Sequence, residues 1–275
     1  MLAPLLIMLR EGLEAALVVG IVAAYLRRTG RAAWIPTIWV GVLLAVALSL
    51  FVGAALQLVH AGFPQRAQEL FEAGVALIAV VMLLWMVFWM RAAARTIRAG
   101  LQGSVEAAFA APGRGTVWAL IGLSFFAVAR EGLESVFFLL AIFQQSPGPA
   151  APLSALAGIA ISVALGYGLY RGGIHLDLRR FFRLSGIFIL FVAAGLFAGA
   201  LRALHEAGLW NALQAPAWDL SHILPTSSVL GTVLSALLGY DESPAVGEVI
   251  AWALMLAVTL ALFLRPQPTP ALQKA

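Results

Sequence analysis

Seven apolar stretches of about twenty residues, some a little shorter or longer, are spaced along this chain, near 4–26, 35–59, 70–90, 117–143, 153–170, 185–204 and 246–264. That is the length a helix needs to cross the hydrocarbon core of a bilayer. Nothing constrains the fold more, because in hydrocarbon a backbone must satisfy its own hydrogen bonds, and only helices and closed barrels do so. The reading is an all-α integral membrane protein of seven transmembrane helices. Apolar residues make up 62% of the 275 and charged residues 11%, against about 45–50% and 25% in ordinary soluble domains. With no cysteine, disulfides, iron–sulfur clusters and thiolate sites are excluded, so a metal here must meet oxygen or nitrogen. The first apolar run has no basic leader and carries charges in its middle, so a cleaved signal peptide is not expected.

The basic residues orient the bundle. Arg27, Arg28 and Arg31 follow the first span, Arg91, Arg95, Arg98 and Arg114 the third, Arg171, Arg179, Arg180 and Arg183 the fifth, and Arg265 and Lys274 the seventh; these are thirteen of the seventeen Lys and Arg. The opposite loops hold Arg66, with Arg202 near the end of the sixth span. Positive loops stay in the cytoplasm, which predicts the N-terminus outside and the C-terminus cytoplasmic. The net charge of +4 is thereby used by membrane topology, and no nucleic-acid partner is expected. The longest segment outside the spans, 205–245, is itself partly apolar, so the chain reads as one integral membrane domain over 1–275. Its run "SSVLGTVLSALLG" is too short to span and reads as a re-entrant or surface helix.

Against this background the pentapeptide Arg-Glu-Gly-Leu-Glu stands out, at 10–14 and again at 130–134. Three spans separate the copies, and three is odd, so the two lie in antiparallel helices. That is the mark of an inverted repeat of three spans plus three, about 1–115 and about 116–204, with the segment 205–245 and a seventh span at 246–264 added. Glu11 and Glu134 sit roughly 12–14 Å below the outer surface at 1.5 Å per residue, so the copies meet at one level. Glu11 and Glu14 share a helix face, as do Glu131 and Glu134, while Arg10 reaches Glu14 and Arg130 reaches Glu134 at i,i+4. Gly12 and Gly132 let a neighbouring helix close in.

Structural ion pairing would explain the charges, and so would a proton relay, but each central charge costs about 2.5–3.5 kcal/mol on insertion scales. Four carboxylates against two guanidiniums also leave two negative charges over, which a bound cation balances. Carboxylate oxygens suit hard ions such as Mg²⁺, Ca²⁺, Mn²⁺ and iron, and spacing alone does not choose among them. An intramembrane enzyme using the carboxylates as acid and base is the competing class; a nucleotide-driven pump is disfavoured, since no Gly-rich phosphate loop exists and Lys274 is the only lysine.

The stretches "LIMLREGLEAAL", "QELFEAGVALIAVVMLLWMVFWMR", "FFAVAREGLESVFFLLA" and "FILFVAAGLFAGALRALHEAGLWN" resemble the oxidase-dependent iron transporter family, which includes the fungal high-affinity iron permease. The resemblance implies iron import across the bacterial cytoplasmic membrane, with Glu11, Glu14, Glu131 and Glu134 as iron-handling carboxylates and Arg10 and Arg130 organising them. It implies iron, Fe²⁺ or Fe³⁺, as transported cargo rather than a permanently bound cofactor. It also implies two separate periplasmic partners, a cupredoxin-like protein and a haem peroxidase. A permease for another divalent ion such as Mn²⁺ is the alternative within transport.

Further candidates lie toward the outer side. Glu69 and Glu72 repeat the i,i+3 spacing at the start of the third span and read either as helix-dipole partners or as a second ion stop, with Glu72 the deeper. His205 and Asp219 are weaker candidate ligands in an outer segment that also holds Glu206, His222, Asp241, Glu242 and Glu248, an acidic mouth that would concentrate cations. Trp34, Trp89 and Trp210 read as interfacial anchors.

Overall fold

The apolar runs are helical because they are rich in Leu, Ala, Val and Met, with prolines confined to places a helix tolerates: Pro4 and Pro36 stand in the first turns of their helices, where no intrahelical N–H is lost. The computed structural model describes residues 2–93, 97–110, 114–145, 149–170 and 177–265. Of the basic residues used for orientation, Arg95, Arg171 and Lys274 lie outside these. The helices are α1 Leu2–Arg28, α2 Ile35–Ala61 after a 3-10 turn at Ala32–Trp34, α3 Gln65–Ala93, α4 Ile97–Ala110, α5 Arg114–Gln145, α6 Ala150–Tyr170, α7 Leu178–Glu206, α8 Val229–Leu238 and α9 Val246–Leu264. Among the described residues no strand forms; Pro216 and Ala245 make an isolated bridge.

Five helices, α2, α3, α6, α7 and α9, are long and apolar enough to cross a membrane by length and composition. Helices α1 and α5 match them in length, at 27 and 32 residues, and carry the motif charges. Two shorter helices lie outside the seven expected spans, α4, which was not expected, and α8, which was. The connection after α3 folds as α4, which packs on α1 and α5, its Val105 and Ala108 buried in one cluster with residues of α1, α2 and α5. The run in the 205–245 segment becomes α8, ten residues long, about 15 Å and so too short to span. Ser228 caps its start by accepting from the Gly231 N–H, and Gly239 ends it in the left-handed region at φ 68°. The same glycine meets Gly195 of α7 so closely that a Cβ there would lie 2.3 Å from the Gly195 Cα.

Two seams of small residues build the centre of the bundle. A Cβ on Gly12 of α1 would stand 2.1 Å from Ser162 Oγ of α6, and one on Gly132 of α5 would stand 2.2 Å from Ser49 Oγ of α2. One turn further along, Gly166 of α6 faces Ala16 of α1 and Gly53 of α2 faces Val136 of α5. In both pairs residue numbers rise together, so α1 runs parallel to α6 and α2 parallel to α5. Positions on α5 follow those on α1 by 120, and positions on α6 follow those on α2 by 113, at both contacts.

Helices α1 and α5 run antiparallel. Ala3 and Ile7 at the start of α1 pack in one apolar cluster with Phe138 and Ile142 near the end of α5, beside α3 and α7. Val22 and Leu26 near the end of α1 pack in a second with Leu120 and Ala129 toward the start of α5, beside α2 and α4. The charged motifs lie between these two clusters.

Candidate metal centre

Each motif folds onto itself as helical spacing requires. Arg10 Nε donates to Glu14 Oε1 at 3.0 Å, and Arg130 Nε donates to Glu134 Oε1 at 3.0 Å. Because α1 and α5 are antiparallel and packed together, the two motifs meet: carboxylate oxygens of Glu11, Glu14 and Glu131 all lie within 4.8 Å of one another. Among the described residues no other three His, Asp or Glu side chains form such a set. Glu11 is 1% exposed, and Glu14, Glu131 and Glu134 are each 8% exposed.

The hydrogen bonding of this cluster is incomplete. Both oxygens of Glu11 and one oxygen each of Glu131 and Glu134 are buried without a donor, as is one guanidinium nitrogen, Nη1, of Arg10 without an acceptor. A buried polar atom without a partner costs about 1–3 kcal/mol, more when charged, and like charges this close repel. The cluster therefore fits a cation. Two oxygens on opposite sides of an ion at about 2.1 Å each lie about 4.2 Å apart, and the oxygens here all lie within 4.8 Å of one another.

The two arginines, equivalent in sequence, differ in setting. Arg10 is sealed at 1% exposure. The Arg130 side chain is 41% exposed and lies over the ring of Trp89 from α3 at 4.6 Å. Trp89 thus has a specific polar neighbour beyond the interfacial position read from sequence.

The outer candidates lie elsewhere. Glu72 accepts from His60 Nε2 of α2 at 3.1 Å, and Glu69 meets Glu206 at the end of α7, carboxyl to carboxyl. His205 Nδ1 donates to the Trp210 carbonyl at 2.9 Å. Asp219 accepts from the Ser221 N–H at 3.0 Å and the Ser221 hydroxyl at 2.6 Å, bonds that hold its carboxyl below the ordinary range. Both make local contacts, His205 through one ring nitrogen and Asp219 through one carboxylate oxygen. In the expected acidic mouth, Arg202 of α7 pairs with Asp241 and Glu248, and Glu242 accepts from Thr226 N at 2.6 Å; much of that negative charge serves to hold the outer segment on the bundle.

Sequence reasoning missed His60, and it named Glu206 and Trp89 without their partners Glu69 and Arg130, since a contact between helices leaves no spacing along the chain. It also missed Gln144, whose two amide heteroatoms are buried without a partner; an amide ending a long apolar run was the available signal.

The profile of the iron permease FTR1 family matches residues 1–267. Among curated relatives, the ferrous iron permease EfeU of Escherichia coli O157:H7 is 54% identical over 266 residues, covering 97% of this chain and 96% of the relative. The ferrous iron permease EfeU of Yersinia pestis is 50% identical, covering 97% and 94%. No solved structure matches.

Proposed function

This chain belongs to the iron permease FTR1 family, and we propose that it carries ferrous iron inward across the bacterial cytoplasmic membrane through the cluster of Glu11, Glu14, Glu131 and Glu134. The observation that carries the reading is the set of buried carboxylate oxygens within 4.8 Å of one another, several of them without donors. Arg10 and Arg130 each hold one carboxylate in a fixed rotamer and reduce the charge of the empty site, so that a divalent ion brings it to neutrality. Glu72, with Glu69, serves as an earlier stop on the outer side.

The proposal includes seven spans, α1, α2, α3, α5, α6, α7 and α9, with the N-terminus outside and the C-terminus cytoplasmic. It reads α1 to α3 and α5 to α7 as an inverted repeat. The parallel pairs, α1 with α6 and α2 with α5, and the antiparallel α1 and α5 support this, since they exchange under a two-fold axis in the membrane plane. Delivery or oxidation chemistry falls to separate periplasmic partners, a cupredoxin-like protein and a haem peroxidase, and the chain acts as a transporter rather than an enzyme.

Radiolabelled iron uptake by the purified chain in liposomes tests this, with Fe²⁺, Fe³⁺ and Mn²⁺ in competition. Ferrous iron should enter and compete best, with Mn²⁺ weaker, as its lower place in the divalent affinity order requires. Uptake of Mn²⁺ in preference to Fe²⁺ would overturn the iron assignment.

A further inference from the structure

The asymmetry between the two arginines carries more than the transport reading uses. Along α1, Arg10 stands one turn before Glu14; along α5, Arg130 stands one turn before Glu134. As the helices are antiparallel, the guanidiniums bracket the carboxylates from opposite ends, each about 6 Å along its helix from its partner. The bracket on the side of the α1 N-terminus is shut: Arg10 is 1% exposed and lies between its carboxylate and the apolar cluster of Ala3 and Ile7. The bracket on the side of the α5 N-terminus is drawn aside: Arg130 is 41% exposed and stacked on Trp89. An open groove of about 690 Å³ between α4 and α5, lined by Ser104, Ala108, Gly122, Phe126 and Ala127 among others, ends one turn short of Arg130.

We propose that Trp89 is a positioning residue of the release gate, holding the Arg130 guanidinium to one side of the carboxylates so that the cation leaves toward the α4–α5 groove. This rests on the transport reading above. While Arg130 lies on the ring, its charge still fixes Glu134 but no longer stands between the ion and the groove. Without the ring, the bond to Glu134 alone leaves the guanidinium free to swing across the path, and its charge opposes the passage of a cation. Arg10, sealed at the other end, keeps the ion from returning. Trp89 acts on the population of the release-competent arrangement and not on affinity, since it touches Arg130 and none of the clustered oxygens.

The test uses the full-length chain in liposomes, and its natural lack of cysteine gives a silent background. Trp89→Leu and Trp89→Phe are each made alone and with Ala127→Cys, which places a thiol in the groove. In Trp89→Leu the maximal rate of ferrous iron uptake should fall by about two- to thirtyfold, the factor a cation–π contact is worth. Equilibrium iron binding should stay within about threefold of wild type. Labelling of Ala127→Cys by a membrane-impermeant maleimide from the groove side should slow in parallel, and Trp89→Phe should recover most of both. Binding and rate lost together would make Trp89 ordinary site packing, and neither changed would make it a lipid anchor; either result overturns the proposal, as does failure of Phe to rescue. If Trp89→Leu does not reach the membrane, Trp89→Phe and Trp89→Tyr are read by the same two measurements, and unaltered labelling and rate in Trp89→His, which keeps a smaller ring, would count against the gate. An Ala127→Cys protein with Trp89 intact that labels as expected, beside a wild type that neither binds nor carries iron, would sink the iron reading while the labelling comparison still judges the gate.

Discussion

Glu11, Glu14, Glu131 and Glu134 come from two helices and share one buried volume, so removing a single charge there tests a ligand directly. Glu14→Gln and Glu134→Gln are isosteric and keep the helix intact. Each is expected to abolish iron uptake while the protein remains folded in the membrane; losing one member of a buried charged set costs about 2–5 kcal/mol, roughly 30- to several-thousand-fold in affinity. Uptake beside membrane abundance checks this, and protein that vanishes from the membrane would point to structural pairing instead. The arginines should respond unequally. Arg10 is sealed and Arg130 is 41% exposed, so Arg10→Gln leaves a buried carboxylate without its guanidinium and water cannot replace it. Arg10→Gln should lose more thermal stability than Arg130→Gln, while Arg130→Lys, which keeps charge but not the planar fork, should bind iron and transport it more slowly. Equal melting shifts for the two Gln variants would contradict the unequal burial. Which glutamates matter was legible in the sequence, from three charges in an apolar helix repeated 120 residues on. The difference between Arg10 and Arg130 was not, because identical pentapeptides carry no information about the third helix that packs beside each.

At the scale of elements, the seams α1–α6 and α2–α5 depend on glycine where a hydroxyl approaches. A Cβ on Gly132 would meet Ser49 Oγ at 2.2 Å but Ser49 Cβ at 3.1 Å, whereas one on Gly12 would meet Ser162 Oγ at 2.1 Å and Ser162 Cβ at 2.7 Å. Both Gly→Ala variants should therefore destabilise, by about 1–3 kcal/mol as overpacking does. The second-site changes should differ: Ser49→Ala removes the nearer clash and should largely restore Gly132→Ala, while Ser162→Ala leaves a clash through Cβ and should restore Gly12→Ala only in part. Thermal unfolding of the purified variants in detergent reads this, and equal rescue on both sides would show that the helices separate freely. The glycines were legible as close-approach residues, but their partners were not, since Ser49 and Ser162 are unremarkable in sequence. The same limit hid α4: a 14-residue helix between spans has no length signal, and its place is set by burying Val105 and Ala108 where it packs on α1 and α5.

For the molecule as a whole, topology is the claim most open to direct test. Reporter fusions active only in the cytoplasm should be active after Arg265 and silent at residue 150, and the opposite pattern would sink both the N-outside orientation and the direction of transport. The sequence by itself determined the helical class, the apolar runs and the repeated charged motif, because the cost of bare backbone and of charge in hydrocarbon is paid locally, residue by residue, and so is written locally. Tertiary structure alone decided that carboxylate oxygens of Glu11, Glu14 and Glu131 come within 4.8 Å of one another, that Arg202 takes up Asp241 and Glu248, and that Arg130 rests on Trp89. These are contacts between elements far apart in the chain, and they follow from which helix faces pack together, a choice governed by shape and small-residue seams that no single stretch of sequence contains.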